Sequence, residues 1–511
     1  MTKTVLYFLT SLPVFFLVLA CHLIASEPLS AIDWLAEKIN DPPEFLTTPN
    51  EKIYEFQNFN QEIKRNELRS VSKNSIGMFS SIKLGLDFDI WSRDSEDVIA
   101  HKIMEIPKSE LFFLNRFLQS VLLIESDPPI VFKESEFAGI LFLRARLLKL
   151  ISMGALDAAE ELINRAEPSI DPNLYDIWAK ISFLTRRLDG FCNMVLHSYS
   201  IQMSPEHRII CLARSGDWSA AALALATYSS INEINETLER LLINYLDHEA
   251  ELKIKRKDLC LKESSAIVYL CAFSGVKPLD SELPIAFLYT NLSRDKSLRA
   301  RINASEEFVK SGALNPNILF SNYKINQPST SGGVWARAKL IQELDEHYKN
   351  SELNQLILLE HLSLVVREFV KNDLITQFSQ IYAEKLHQIK PKQNNLKLYE
   401  MVLALILLSD LELDDWRAVK TNNLKLNMAI YLESEPIGLI NKNTNVEEIL
   451  SRYFTSRQKA EFTLLDKIVM EASMGKFPVG RNSANEILKA LSQGRKGFVL
   501  VQALFLISAG K

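Results

Sequence analysis

Glycine is scarce in this chain, with 16 residues in a total of 511. That is less than half of the usual share of about 7%. Folds built from β-sheets use many tight turns, and tight turns consume glycine. The scarcity therefore argues against a mainly β architecture and favours helices. Hydrophobic residues at 47% and charged residues at 24% are typical of a folded protein rather than of a disordered one.

The chain also lacks an excess of positive charge. Its 58 basic and 63 acidic residues leave a net charge of −5, and the densest basic cluster is Lys253-Ile-Lys-Arg-Lys257. Binding to a nucleic-acid backbone needs a basic patch or stripe. We therefore expect no nucleic acid among the partners and assign this cluster to a solvated helix end or loop.

Motifs for catalysis and metal binding are missing as well. No two of the 8 histidines stand close enough in sequence for a zinc motif, and no Gly-x-Ser-x-Gly sequence occurs. The sequence predicts no cofactor, no metal and no catalytic residue. Glu-Ser pairs of the kind that lytic transglycosylases use occur without the expected flanking glycine and glutamine motifs, at Glu125, Glu134, Glu263 and Glu433.

Cysteine is rare, at 5 positions. Cys192 and Cys211 fall on two consecutive predicted helices, whose antiparallel packing brings the two sulfurs to similar heights and favours a disulfide between them. A pair of Cys260 and Cys271 is less compatible with helical geometry, because a single helix would hold them about 16 Å apart. Buried free thiols are the alternative for all four residues.

One long apolar run is present, and it stands at the N-terminus. Lys3 precedes an almost wholly apolar stretch from Val5 to Ile24, and the first acidic residue is Glu27. A positive start before an apolar run is the pattern of an export signal. Residues 1–26 are therefore predicted to be an export signal or anchor, with the body of the protein in the periplasm. Three outcomes stay open: a cleaved signal, a retained membrane anchor, and a lipoprotein attached through Cys21.

A short amphipathic helix is predicted directly after this segment, and a polar stretch follows it as a tether. Such a helix suits a groove of a partner or a membrane surface. The alternative is that it folds back onto the rest of the chain as an N-terminal cap. Its apolar stripe has helical spacing and consists of Leu29, Ile32, Leu35 and Ile39, with Trp34 beside it.

A single strand signal follows the tether. Apolar residues alternate with other residues from Ile82 to Ile90, and a period of two is typical of a half-buried strand. Residues 27–93 are therefore predicted to hold the amphipathic helix, the polar tether and one short strand near 82–90.

One sequence pattern occurs twice between Leu147 and Leu225. Leu150-Ile-Ser-Met-Gly-Ala-Leu-Asp-Ala-Ala-Glu-Glu-Leu-Ile163 is matched by Leu212-Ala-Arg-Ser-Gly-Asp-Trp-Ser-Ala-Ala-Ala-Leu-Ala-Leu225. Each copy is typical of an apolar helix, a glycine turn and a second apolar helix. Such a hairpin cannot bury its apolar face alone, so neighbouring hairpins must stack. We therefore predict an all-α fold, a right-handed α-solenoid of tetratricopeptide-like hairpins over residues 94–322.

The second half of the chain is helical but less regular. Asn322–Gly333 is its longest loop, and we place the main domain boundary there. Residues 334–511 are predicted to form a second helical region packed on the first. Its last helix, Gly497–Ser508, is too short to cross a membrane and is expected to fill the final groove of the array.

Ser331, Gly332 and Gly333 directly precede a predicted helix. Small residues at this position leave backbone amides accessible, and a helix N-terminus attracts anions. These three residues are therefore a candidate anion contact, and a plain capping loop is the alternative.

The tryptophans of the helical regions lie within apolar runs. This position predicts packing in the core, with a platform for stacking sugars as the alternative. The residues concerned are Trp178, Trp218, Trp335 and Trp416.

Four short segments carry a resemblance to known proteins: Ala31–Leu35 (Ala-Ile-Asp-Trp-Leu), Gly154–Glu160 (Gly-Ala-Leu-Asp-Ala-Ala-Glu), Cys211–Trp218 (Cys-Leu-Ala-Arg-Ser-Gly-Asp-Trp) and Ser331–Arg337 (Ser-Gly-Gly-Val-Trp-Ala-Arg). They resemble segments of a family of exported helical proteins from marine alphaproteobacteria. The resemblance extends over most of the chain and implies export and a helical array, but no particular activity. The hairpins resemble tetratricopeptide repeats more loosely, because the Trp/Leu/Gly/Tyr consensus of the first repeat helix is not met.

Two functions fit these observations. The first is a non-catalytic scaffold of the cell envelope that binds an envelope protein or polymer through the groove of a helical array. The second is an envelope enzyme acting on peptidoglycan or glycans, with a site of distant residues that leave no local motif. A deep cleft with converging carboxylates would favour the enzyme, and a continuous groove with exposed apolar patches would favour the scaffold.

Overall fold

The computed structural model describes residues 72–409, residue 490 and residues 493–508, except residue 110 and residues 133–136, 198–202, 232–233, 235, 250–263, 275–283, 327–331, 350–354 and 390–395. The predicted export segment, the amphipathic helix and the tether lie outside the described residues. These include the stripe residues Leu29, Ile32, Trp34, Leu35 and Ile39.

The described part of the chain is predominantly helical, in agreement with the predicted fold class. Among the described residues, no helix has both the length and the apolar content that a membrane crossing requires. The α-helices are α1 (Glu96–Glu105), α2 (Phe112–Leu122), α3 (Leu141–Ser152), α4 (Leu156–Arg165), α5 (Tyr175–Thr185), α6 (Asp189–His197), α7 (Pro205–Arg214), α8 (Trp218–Ser230), α9 (Glu236–Leu246), α10 (Ser265–Phe273), α11 (Leu298–Lys310), α12 (Pro316–Tyr323), α13 (Val334–Lys349), α14 (Gln355–Lys371), α15 (Ile375–His387), α16 (Leu396–Leu407) and α17 (Lys496–Ser508). Short 3-10 helices occupy Lys73–Ser75, Ser81–Leu84, Pro168–Ile170, Pro172–Leu174 and Ile285–Leu292.

A short strand is present, but it lies just before the predicted range of 82–90. Strand β1 (Phe79–Ser80) pairs in parallel with β2 (Ile124–Glu125). The next residues form a 3-10 helix, because the Ser80 hydroxyl accepts a hydrogen bond from the Ile82 amide and Gly85, with φ of 71°, closes the helix. Local bonds of the backbone therefore replace strand pairing, and the Ile82 side chain is 69% exposed.

A buried arginine holds the two strands against helix α3. Arg146 donates hydrogen bonds to the carbonyl oxygens of Leu122 (2.7 Å), Ile124 (2.9 Å) and Ile76 (2.8 Å). Burial lowers the pKa of Arg146 to about 9, so the guanidinium remains charged at neutral pH. Since a two-residue pair of strands has little stability of its own, these bonds fix β2 and the segments that lead into both strands.

Two buried polar side chains cap the N-terminus of α3. The Glu96 carboxylate accepts hydrogen bonds from the amides of Gly139 (3.0 Å) and Phe142 (3.1 Å) and from Asn74 Nδ2 (2.7 Å). Asn74 Oδ1 in turn accepts from the Leu143 amide (3.1 Å). The first amides of a helix have no partner within the helix, and the helix dipole favours a carboxylate beside them. The start of α1 and the 3-10 helix that precedes β1 are thereby fixed to α3.

Helix α5 lies at the centre of the first half. Nearly all of its side chains are buried, as expected for a helix that is apolar on every side. It contacts α3 and α4 before it, and also α10 and the 3-10 helix Ile285–Leu292, which are distant in sequence. In a solenoid each hairpin contacts only its neighbours. Consecutive helices such as α7 and α8 do pack as hairpins, but the right-handed solenoid remains a prediction.

The buried apolar side chains divide into two clusters. The first contains residues from Ile90 to Phe287 together with four residues between Ala490 and Leu504, and the second extends from Ile302 to Ile406. Tyr323 and Val334, which flank the loop of the predicted domain boundary, are both buried in the second cluster.

The last helix, α17, packs against the first helix, α1, and not in a groove at the end of the array as expected. Asp94 accepts hydrogen bonds from Arg495 Nε and from the Phe498 amide, both at 3.0 Å. Gly497 is required at this contact, because a Cβ atom there would lie 2.3 Å from Trp91 Cε3. The side chains of α17 therefore belong to the first apolar cluster.

Replacement of Arg146 by methionine will remove the guanidinium donor of four buried or partly buried carbonyl groups, those of Asn74, Ile76, Leu122 and Ile124. Each such group costs about 1–3 kcal/mol, so we expect the free energy of unfolding to fall by at least about 3 kcal/mol. Urea denaturation followed by circular dichroism measures the loss. Arg165→Met is the matched control, because the exposed Arg165 donates only one hydrogen bond, at 2.7 Å, to the carbonyl of Gly77 in the same segment. Equal losses in the two variants would contradict the role of Arg146.

Candidate interaction surface

Helix α8 exposes a side that carries no charge. None of its 13 residues is acidic or basic, and the buried ones are Ala221 and Leu225. Trp218 is 52% exposed and Leu223 is 70% exposed. A helix of this composition is normally buried on all sides. Its exposure is therefore typical of a surface that contacts another molecule.

The exposed residues of α8 form one continuous surface, which we call the α8 face. They recur at spacings of three and four, which places them on the same side of the helix. Ile231, directly after the helix, extends the surface and is 56% exposed. The α8 face consists of Trp218, Ser219, Ala222, Leu223, Ala226, Thr227 and Ser230.

The two helices in contact with α8 expose charged residues. Helix α7 exposes Arg208 and Arg214, and Arg214 forms an ion pair with Asp189 at 2.5 Å. Helix α9 exposes Glu236 and Arg240, which pair with each other. An apolar centre with a polar rim is the usual arrangement of a protein interface.

A disulfide fixes α7, the partner of α8 in the hairpin. Cys192 of α6 and Cys211 of α7 are bonded, with their Cα atoms 5.0 Å apart, which is the pair predicted from the sequence. Cys271 is a buried free thiol, and burial raises its pKa to about 12, so it is not reactive at neutral pH. Cys260 lies outside the described residues.

The turn between α7 and α8 is encoded by Ser215-Gly216-Asp217. Gly216 has φ of 89°, a conformation that favours glycine after a helix C-terminus. The Asp217 carboxylate then accepts a hydrogen bond from the Ala220 amide (3.0 Å) and caps α8. The segment Cys211–Trp218, one of the four that resemble the exported family, thus contains the disulfide, the turn and the cap, and it ends on the exposed Trp218.

His207 fixes α7 against α5 and α6. Its Nδ1 lies 2.7 Å from the hydroxyl of Tyr175, and its ring stacks on Phe183 with the centroids 4.8 Å apart. Burial lowers the pKa of His207 to about 4, so the ring is neutral at pH 7 and can accept the hydrogen bond from Tyr175. Helix α8 is therefore held on a support of disulfide, ring packing and hydrogen bonds.

The tryptophans differ in their environment. Trp178 is buried in the first cluster, and Trp335 is half-buried against the second. The prediction of core packing is wrong for Trp218. Trp218 is the first residue of α8, and its spacing from the other apolar residues is the same as that of the buried Ala221. A helical side chain, however, covers the surface on the N-terminal side of its own Cα. For Trp218 that surface lies beyond the end of the helix. Trp416 lies outside the described residues.

The structure describes two of the three candidate anion-binding residues. Gly332 and Gly333 have positive φ values of 88° and 54° and precede α13. Their carbonyl oxygens accept hydrogen bonds from the amides of Trp335 and Ala336, both at 3.2 Å. Ser331 lies outside the described residues. The observed bonds are those of a turn that begins a helix, and the anion contact remains a prediction.

Arg337, the last residue of the same segment, forms a buried ion pair. Its guanidinium donates to both oxygens of Glu306, at 2.8 and 2.7 Å, and Tyr323 donates to Glu306 at 2.7 Å. A bidentate pair of this kind has a fixed geometry. Arg337 therefore joins α13 to α11 in the second cluster.

A cavity of about 640 Å³ lies beside the end of α5 and is the candidate site for the enzyme hypothesis. Its lining includes Arg186, Arg294 and Asp295. Hydrogen bonding to Ser293 and the nearby Arg186 guanidinium lower the pKa of Asp295 to about 2. This carboxylate is therefore an ion-pair partner rather than a proton donor at neutral pH.

The carboxylates next to the cavity are also paired. Arg187 contacts both Asp157 (2.9 Å) and Glu160, and the Tyr289 hydroxyl donates to Asp157 at 2.6 Å. Burial raises the pKa of Glu160, and its bond to Arg187 opposes this shift. Within the described residues, no three side chains of the types that bind metals come together.

Removal of the disulfide will destabilise the protein. The two cysteines are 19 residues apart, and a loop of that length implies a loss of about 3 kcal/mol in the free energy of unfolding. We expect Cys192→Ala/Cys211→Ala to show this loss in urea, and wild type to show a similar loss in dithiothreitol. Cys271→Ala is the control and should keep the full response to dithiothreitol. Identical stability of oxidised and reduced wild type would disprove a stabilising disulfide.

Acid will also destabilise the protein through His207. The unfolded ring has a pKa of about 6.5, and the folded ring has a pKa of about 4. Between these values the unfolded state binds a proton that the folded state does not, so stability falls as the pH falls from about 6.5. The loss is complete near pH 4 and amounts to roughly 3 kcal/mol.

Denaturation in urea at a series of pH values measures this effect. The variant Tyr175→Phe/His207→Leu removes the titrating ring together with the hydroxyl that bonds to it. We expect a shallower dependence of its stability on pH between 6.5 and 4 than in wild type. The same slope in both proteins would show that other groups cause the acid sensitivity.

Comparison of the chain with protein-family models, with curated proteins and with solved structures finds no match. The function is therefore inferred from the surfaces of the molecule itself.

Proposed function

We propose that the protein is a non-catalytic interaction scaffold of the cell envelope that binds a protein or polymer through its helical array. The observation that carries the proposal is the α8 face, an uncharged helical surface with Trp218 exposed at its N-terminal end and Leu223 exposed near its middle. Large exposed apolar side chains are costly in water and are retained where another molecule covers them. The location in the envelope rests on the sequence pattern of residues 1–26.

The rigidity of the α8 face supports this proposal. The Cys192–Cys211 disulfide, the buried contact of His207 with Tyr175 and the Asp217 cap hold the hairpin in one arrangement. A surface that is already ordered loses little conformational entropy on binding. The amphipathic helix of residues 29–39 is proposed as a second contact, with a partner or with the membrane.

An envelope enzyme is the alternative hypothesis. The described carboxylates nearest the cavity, Asp157, Glu160 and Asp295, are each bound to an arginine. A general acid or base needs a pKa near the working pH, and the low pKa of Asp295 does not meet this condition. The geometry therefore favours the scaffold.

Photo-crosslinking in intact cells tests the scaffold. A photoreactive amino acid in place of Leu223 should give a covalent adduct, because this side chain points away from the protein and is covered by the partner. Glu161, an exposed residue on α4, is the matched control position and should give no adduct. If neither Leu223 nor Trp218 nor Ala226 gives an adduct, the α8 face is not a binding surface and the proposal fails.

A further inference from the structure

We propose that the cavity beside the end of α5 binds an acidic sugar, that is, a sugar that carries a carboxylate or a phosphate group. This inference goes beyond the proposed function, because the cavity and the α8 face are formed by different residues and either could bind without the other. Three properties of the cavity carry it: its positive charge, the unused hydrogen-bond donors of its arginines, and its polar lining.

The cavity has an excess of positive charge. Its described lining contains two arginines, Arg186 and Arg294, and a single carboxylate, that of Asp295. The amino group of Lys296 lies 3.5 Å from the same carboxylate, so the described charges here are three positive and one negative. The low pKa of Asp295 agrees with a positive environment. A concave site with charge of one sign attracts ligands of the opposite sign.

The acidic side chains next to the cavity do not cancel this excess. Asp157 and Glu160 both bind Arg187, and Asp157 also accepts a hydrogen bond from the Tyr289 hydroxyl. This group therefore adds one net negative charge beside a cavity that has two net positive charges. The whole region remains positive and favours an anion.

The guanidinium of Arg186 has hydrogen-bond donors that are not used. In the described part of the chain only its Nη1 is bonded, to Ser293 Oγ (3.4 Å) and to the two oxygens of Asp295 (3.4 and 3.3 Å). These distances exceed the roughly 2.7–2.9 Å of a strong charge-assisted bond. The exposed Arg294 forms no ion pair within the described residues. Since the planar guanidinium matches the oxygens of carboxylates and phosphates, both arginines can bind such a group.

The backbone of Arg186 also distinguishes this position. Arg186 ends α5 with φ of 63°, a left-handed conformation in which helices usually have glycine. A residue with a side chain is less stable there, and residues held in such conformations are concentrated at functional sites. Glycine would end α5 more favourably but would supply no guanidinium. The position thus has a side chain at the expense of backbone conformation, as expected of a ligand-binding residue.

The size and the uncharged lining indicate what carries the anionic group. A volume of about 640 Å³ is far larger than a single carboxylate or phosphate and falls within the range of small-molecule sites. Hydroxyl groups of the lining can both donate and accept hydrogen bonds, as the hydroxyls of a sugar require. An aromatic ring and an aliphatic side chain can contact the apolar face of a sugar ring. The uncharged lining residues are Thr185, Tyr289, Thr290, Leu292 and Ser293.

Titration calorimetry with the full-length protein tests the site. The probes are glucuronate and glucose 6-phosphate, with glucose as the neutral sugar. We expect at least one acidic sugar to bind with a dissociation constant of roughly 1 mM or tighter, and glucose to bind at least tenfold more weakly. Arg186→Gln and Arg294→Gln should each weaken the binding of the acidic sugar at least tenfold. Arg208→Gln, which removes an exposed arginine on α7, is the matched control and should leave binding unchanged.

Replacement of Asp295 by asparagine separates loss of the site from loss of the fold. This variant removes the single carboxylate of the described lining, so the acidic sugar should bind more tightly than to wild type. A variant that failed to fold would instead bind less, and circular dichroism identifies that case.

Three results would overturn the acidic-sugar site. The first is a wild-type protein that binds neither acidic sugar, and the second is glucose binding as tightly as they do. The third is an equal loss of binding in Arg208→Gln and Arg186→Gln, which would show a general attraction of anions to surface arginines. None of these results affects the proposed scaffold, because photo-crosslinking at Leu223 reports on the α8 face alone.

Discussion

The guanidinium of Arg146 binds the main chain at Ile76 and Leu122, which precede the two strands, and at Ile124, the first residue of β2. These segments come from different parts of the chain, and each strand is only two residues long. With the Asn74 oxygen, at 3.4 Å, four carbonyl groups obtain a donor from one side chain, which satisfies groups that would otherwise be costly to bury. The same helix, α3, is capped at its start by Glu96, so the buried carboxylate and the buried arginine both act on the element that the first core surrounds.

Ion pairs have a similar structural role elsewhere in the molecule. Arg337 joins α13 to α11 through Glu306, and the Asp345 carboxylate binds both Lys324 and Lys385, which lowers its pKa although burial opposes the shift. These ion pairs hold neighbouring helices together. The α8 face stands out against this background, because there the exposed side chains are apolar or small and the charges lie on the neighbouring helices.

Much of the helical structure could be predicted from local pattern. Helix α7 (Pro205–Arg214) lies where the repeated pattern predicts an apolar helix before the Gly216 turn, since proline favours the first turn of a helix and Gly216 follows its end. The observed strand lies before the predicted one, because the alternation of apolar residues gives no information about the local hydrogen bonds at Ser80 and Gly85. The apolar spacing of Trp218 predicts a buried side chain, because it matches the spacing of the buried Ala221. Only the direction of the side chain at the helix end separates the two cases.

Contacts between distant segments could not be predicted in this way. Nothing local in α5 indicates that α10 will pack on it, and this contact separates the observed fold from a simple row of hairpins. One feature of the sequence does indicate the role of Arg146. It is a basic residue inside the apolar run Leu141-Phe-Leu-Arg-Ala-Arg-Leu-Leu148. A basic residue is unusual in a buried helix unless its charge has buried partners. Arg337 left a similar signal within the Ser331–Arg337 segment.

The position of α17 on α1 has a consequence for how the chain is made. Residues near the end of the sequence complete a core that begins at Ile90, so this core stays open while the ribosome adds the intervening chain. During synthesis Trp91 and its apolar neighbours remain accessible to chaperones and to proteases. A transcript that ends early therefore yields a protein without α17, in which the apolar residues around Trp91 stay uncovered. Quality control can recognise the truncated protein at this early part of the chain.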